Sequence, residues 1–131
     1  MMLRGFLIGL VVFAACGCAK PVSTVNISSS GRYEWIRTDS ELSQKAAVVG
    51  VNKAREGDLL RVQVQVQNQS SYPAEFMYRY VWLDNNGMEV HTPLTTWQRV
   101  HIQGRQTIAL NGIAPDARCA DCRLEIKRPD R

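Results

Sequence analysis

Four cysteines and two histidines are the residues whose types and spacing bear on chemistry. Cys119-Ala120-Asp121-Cys122 has CxxC spacing. A redox centre of that spacing sits at a helix N-terminus beside a βαβ unit, where the dipole lowers the thiol pKa. Here the pair follows Ala114-Pro115-Asp116 and leads straight into a strand pattern, so redox catalysis is not expected. Four residues of extended strand hold the end α-carbons about 10 Å apart, beyond disulfide reach. A structural disulfide between Cys119 and Cys122 therefore requires a turn at 119–122, with the strand starting at or after Cys122. Free thiols with Cys122 in the core are the alternative. Zinc would need the same cysteines together with His91 and His101. The CxxC half fits, but nine residues separate the histidines, against roughly three to five in zinc sites. His101 also falls on the polar side of its strand, and no metal site is expected.

The other two cysteines imply an anchor. Arg4 begins a short positive region, and residues 5–15 are an unbroken apolar or small-residue run. That run is shorter than the about 20 residues of a membrane-spanning helix and suits the core of an export signal. It ends in Phe13-Ala14-Ala15-Cys16-Gly17-Cys18-Ala19, the form of a lipobox. Acylation of Cys18 leaves Cys119 and Cys122 as an even pair, whereas acylation of Cys16 leaves an odd thiol in an oxidising compartment. Parity therefore favours Cys18. Cys16, with Phe13 at the preferred upstream place, is the alternative. Neither is followed by Asp, which leaves the outer membrane, facing the periplasm, as the expected location. Two or three fatty acyl chains hold such a protein firmly where one does not. The expected organisation is a signal peptide over 1–17, a lipidated cysteine and flexible tether over 18–32, and one domain over 33–131.

The remaining chemistry is sparse. No G-x-S-x-G, H-E-x-x-H, phosphate-loop or EF-hand pattern occurs. The carboxylates Asp58, Asp84 and Glu89 stand beside turn residues rather than as a facing pair. Neither an enzymatic activity nor a cofactor is expected. The formal charge of +4 is dispersed, without the block of like charges that marks a nucleic-acid arm. Asn26-Ile27-Ser28 and Asn68-Gln69-Ser70 match a glycosylation sequon by chance.

The elements that must position these residues have a period of two. Leu60, Val62, Val64 and Val66 alternate with Arg61, Gln63, Gln65 and Gln67, the pattern of a half-buried antiparallel strand. Cys122, Leu124 and Ile126 alternate likewise with Arg123, Glu125 and Lys127. Further strands run through Tyr33 to Arg37, Val49 and Val51, Phe76 to Leu83, Val100 and Ile102, and Ile108 and Leu110. Turn chemistry separates them, including Asn86-Gly87 and Gln103-Gly104-Arg105. Asp39 or Ser40 caps one helical turn running to Lys45. About seven short strands at this spacing predict an all-β, immunoglobulin-like antiparallel β-sandwich, with a small barrel as the structural alternative.

One strand is apolar on both faces. If Phe76, Tyr78, Tyr80 and Trp82 fill the core, Met77, Arg79, Val81 and Leu83 form a second surface. That surface is the candidate for contact with another envelope protein.

The stretch from Val48 to Leu124 resembles the YcfL-like family of small Gram-negative lipoproteins. Leu60 to Asn68, Tyr78 to Asp84 with Gly87, Trp97, Ala114-Pro115 with Ala117, and Asp121 to Leu124 carry the resemblance. It implies an immunoglobulin-like sandwich and no established activity. Val81 stands where that family often has an acidic residue, and the CxxC pair is not part of its pattern. The expected function is that of a non-enzymatic lipoprotein, a binding or assembly module for an envelope protein or peptidoglycan. The alternative is a small redox or metal protein built on Cys119 and Cys122.

Overall fold

The computed structural model describes residues 22–27, 33–37 and 40–130. The expected signal, Cys16, Cys18 and most of the expected tether lie outside them. Within them the chain forms β1 (Ser23–Ile27), β2 (Tyr33–Arg37), α1 (Ser40–Lys45), β3 (Ala47–Glu56), β4 (Leu59–Gln67), β5 (Ala74–Leu83), β6 (Gln98–Ile102), β7 (Thr107–Ile113) and β8 (Asp121–Lys127). They build an all-β sandwich of two antiparallel sheets, ordered β2-β1-β8-β5-β6 and β3-β4-β7.

Alternation dictates the layers. On β4, Leu60, Val62, Val64 and Val66 are buried, and on β8 so are Cys122, Leu124 and Ile126. Phe76, Tyr78, Tyr80 and Trp82 of β5 close the core with Ile102 of β6 and Leu110 of β7. Each such side chain contributes about 1.5–3 kcal/mol when fully buried. The Tyr80 hydroxyl donates to the Leu110 carbonyl at 2.7 Å, tying the sheets together through the core. Its ring lies so close to β7 that a Cβ on Gly112 would stand 2.5 Å from Tyr80 Cδ2. α1 lies at the expected place and buries Leu42 against the sandwich.

The connectivity follows an immunoglobulin domain with one exchange. β3, β4 and β7 pair as strands A, B and E do, and β5 and β8 pair as C and F do. The place beside β8, which strand G fills in an immunoglobulin domain, is taken by β1 from the N-terminal side.

Two expectations change here. Ser23–Ile27 falls within the stretch expected to be tether, yet it is a strand paired on both sides. Ser23-Thr24-Val25-Asn26-Ile27 alternates small polar with apolar, and Val25 and Ile27 go into the core. Composition hid that period of two. On β3 the register shifts between Val48 and Gly50, so Val48 is buried and Val49 faces out. An extra residue on one strand of a ladder reverses the inward–outward phase of the residues beyond it.

Candidate functional site

The cysteine pair sits where β8 begins. Asp116 accepts from the backbone N–H of Arg118 at 2.8 Å and from its guanidinium, which shapes the approach to Cys119. The Ala120 N–H donates to the Leu83 carbonyl at 2.8 Å, and Asp121 already pairs with Leu83. β8 thus starts before Cys122, and the turn that a bridge requires is not formed. Both cysteines are buried free thiols, so the disulfide expectation gives way to its alternative. Burial pushes the Cys119 thiol up and the Cys122 thiol to about 12, with Lys53 pulling the latter down only in part. Such thiols are poor nucleophiles and poor metal ligands at neutral pH, because the thiolate is the reactive form. In an immunoglobulin domain a core Trp on strand C packs on a disulfide between strands B and F. Here Trp82 is the register partner of Cys122, and β4 faces them with aliphatic side chains.

Above the pair, Lys53 of β3 donates to Asp121 of β8 at 2.5 Å, an ion pair between the two sheets. The Lys53 side chain is only 10% exposed, so loss of Asp121 removes an ion-pair partner from a poorly hydrated ammonium.

The histidines are elsewhere. His91 and His101 have side chains 88% and 73% exposed, on the solvent side, while the thiols lie inside the core. The four residues of the zinc reading are therefore not brought together. Among the described residues no three His, Cys, Asp or Glu side chains cluster as a metal site.

The predicted surface of Met77, Arg79, Val81 and Leu83 does form the outer face of β5, but it is largely covered. Val81 is 2% exposed. Asp84 accepts from the N–H groups of Asn86 and Met88, each at 2.9 Å, and Gly87 takes φ 77°. That turn sends the chain back along β5, where Val90 donates to the Trp82 carbonyl at 2.8 Å and Glu89 pairs with Leu83. Arg123 of β8 and Glu89 lie on opposite sides of β5, and their side chains approach to 3.7 Å across Val81. Next to them, Arg79 donates to Glu125 at 3.1 Å and stands 4.5 Å from the Trp97 ring centroid. Lys127 Nζ stands 4.6 Å from the same ring. Each cation is attracted by the electron-rich face of the indole. An open apolar patch is therefore not what this face offers. It offers a polar one, with a shallow cleft of about 340 Å³ lined by Arg79, Glu89, His91, Thr92, Pro93 and Thr95. Beyond it, Glu75 accepts from Arg99, whose guanidinium holds the carboxyl below its usual range.

Sequence reasoning missed Asn68. It reads as a turn residue, but it is fully buried. Its Nδ2 donates to the carbonyls of Tyr72 at 2.7 Å and Gln103 at 3.2 Å, and its Oδ1 accepts from Ser70 N and Oγ. It locks the β4–β5 corner to the β6–β7 turn. The one available signal was the Asn-x-Ser spacing that also makes an Asx turn.

A family model described as a protein of unknown function, DUF1425, matches residues 34–128. The chain belongs to the DUF1425 family. A DUF1425 member from Shewanella sp. pv-4, solved as a crystal structure, superposes with a TM-score of 0.61 at 21% identity, covering 82% of this chain and 97% of that one. The Campylobacter jejuni protein cj0090 superposes with a TM-score of 0.57 at 29% identity, covering 65% of this chain and 88% of that one. No curated protein matches this DUF1425 chain in sequence. The likeness to the Shewanella protein shows the sandwich fold. The core of the DUF1425 match spans β2 to β8, so β1 lies outside the family model while completing this member's larger sheet.

Proposed function

We propose that this protein is a non-enzymatic lipoprotein of the YcfL-like branch, held at the outer membrane through Cys18 and acting in the periplasm as a binding or assembly module. The observation that carries the reading is the position of β1. It enters the larger sheet between β2 and β8 at Ser23, five residues after the cysteine expected to bear the lipid. Five residues span at most about 18 Å. An anchored chain of this kind rests its sandwich on the membrane rather than reaching far from it. Inert thiols and ion-paired surface carboxylates support a role in contact rather than catalysis. The partner is an envelope protein or peptidoglycan close to the inner leaflet of the outer membrane.

Metabolic labelling with palmitate tests the anchor. Label should enter the wild-type chain and its Cys16→Ser variant and disappear with Cys18→Ser. Unlabelled wild-type protein would overturn the lipoprotein reading, and label lost only with Cys16→Ser would move the anchor.

A further inference from the structure

The connections sort to two ends of the sandwich. β4 finishes at Gln67, opposite the first residues of β3 and β7, Ala47 and Thr107. β5 starts at the same end, where Ala74 faces Ile102, the last residue of β6. β8 finishes there too, since Lys127 pairs with Met77 near the start of β5. β1 begins at Ser23 opposite Ile126 and runs toward Cys122, so it enters the sheet from this end. The β3–β4 hairpin, the Asp84 turn and the start of β8 lie at the other end.

Charge divides along the same axis. At the entry end one carboxylate, Glu41, is shared by Lys45 at 2.8 Å and Arg128 at 3.0 Å. Lys127 is answered by Asp130, and Glu75 by Arg99. Arg105 is exposed and has no ion-pair partner among the described residues. The entry end therefore has a surplus of cations. At the far end Glu56, Asp58, Asp84, Glu89, Asp116 and Asp121 outnumber Lys53, Arg55, Arg61, Arg118 and Arg123. The turn that bears Arg105 is fixed against the β4–β5 corner. The Arg105 N–H donates to the Ser70 carbonyl at 3.0 Å, and a Cβ on Gly104 would stand 2.3 Å from the Ser71 carbonyl oxygen. On that corner Tyr72 is 78% exposed.

We propose that the entry end seats on an anionic phospholipid surface, with Tyr72 at headgroup depth and Arg105, Lys45 and Arg128 on lipid phosphates. The inference rests on the lipoprotein reading above and adds the orientation. Strand direction, charge and aromatic exposure select this occupant independently. The strand that follows the expected anchor enters at this end. Basic side chains are drawn to an anionic leaflet, which repels an acidic end. Tyrosine favours the boundary between headgroups and water, where its ring and its hydroxyl are both satisfied. Seated in this way, the molecule turns its acidic loops away from the lipid and leaves them open to partners.

The test is hydroxyl-radical footprinting of the full lipidated chain on vesicles of phosphatidylethanolamine and phosphatidylglycerol, collected by flotation. The reference is the Cys16→Ser, Cys18→Ser form free in buffer. Oxidation of Tyr72 should fall several-fold on the vesicles, while oxidation of Met88, 65% exposed in the far turn, should not change. Arg105→Glu, or vesicles of phosphatidylcholine alone, should restore much of the Tyr72 oxidation without releasing the protein. Floated protein with Tyr72 as reactive as in the reference overturns the orientation alone, and so does protection of Met88 in its place. Wild-type protein that does not float overturns the lipoprotein reading and this inference with it.

Discussion

At the residue scale, chemistry is set by burial more than by type. Cys119 and Cys122 have the spacing of a redox motif, but the core that encloses them raises both thiols above their ordinary value. Native protein at pH 8 should therefore label slowly with iodoacetamide and label fully once unfolded in guanidinium. Rapid labelling of both thiols in the native state would contradict this. The same shift acts on stability. The folded Cys122 thiol titrates near 12 and the unfolded one near 9, so above pH 9 the unfolded state loses its proton first. The contribution of this thiol should be flat with pH below about 9 and should lower stability between 9 and 12, and Cys122→Ala should flatten part of that fall. Urea midpoints measured across the range check it. Asn68 is the complementary case, a polar residue that must be inside. Asn68→Ala removes two hydrogen bonds at the corner, although the Tyr72 and Gln103 carbonyls each keep a second donor, and should cost about 1–2 kcal/mol in urea unfolding. A cost below about 0.5 kcal/mol, the usual surface value, would remove its structural role.

At the element scale, sheet and strand patterns were legible where one face is core and the other is water. β4 and β8 match their alternation residue by residue. The expectation was weaker wherever a third structure intervenes. β5 is apolar on both faces because the loop after it folds back and lets Arg123 and Glu89 close over Val81. No local pattern announces such a lid, because its two charges lie far apart in sequence. β1 was obscured by serine and threonine, which suit a linker and an interior strand alike when the partner strand supplies the apolar contacts. The Trp97 clamp bears on how the outer face is shielded. Trp97→Ala frees Arg79 and Lys127 and should cost about 1–2 kcal/mol while raising binding of a hydrophobic dye. Unchanged dye binding would show that the indole does not shield the strand beneath. Gly112→Ala sets a methyl against the Tyr80 ring and should cost about 1–3 kcal/mol in thermal unfolding, whereas an unperturbed melting temperature would contradict the close approach.

At the scale of the whole molecule, the family match, the sandwich and the N-terminal strand belong to one design. The DUF1425 core runs from β2 to β8, and β1 fastens the segment next to the expected anchor into the sheet beside β8. Deleting residues 22–27 strips Val25 and Ile27 from the core and unpairs β8 along one side, so the remaining chain should lose its cooperative unfolding transition. A deletion variant that melts like the intact protein would make β1 an accessory. The proposed anchor and partner rest on sequence chemistry alone, since lipid attachment and recognition depend on other molecules. The central claim is that this sandwich works by contact at the membrane. It is tested most directly by cross-linking intact cells that carry either the full chain or a form with Cys16→Ser and Cys18→Ser. The account predicts that one envelope component is captured by the anchored form and lost from the unanchored one. Equal capture by both forms, or none by either while the protein stays membrane-bound, would contradict it.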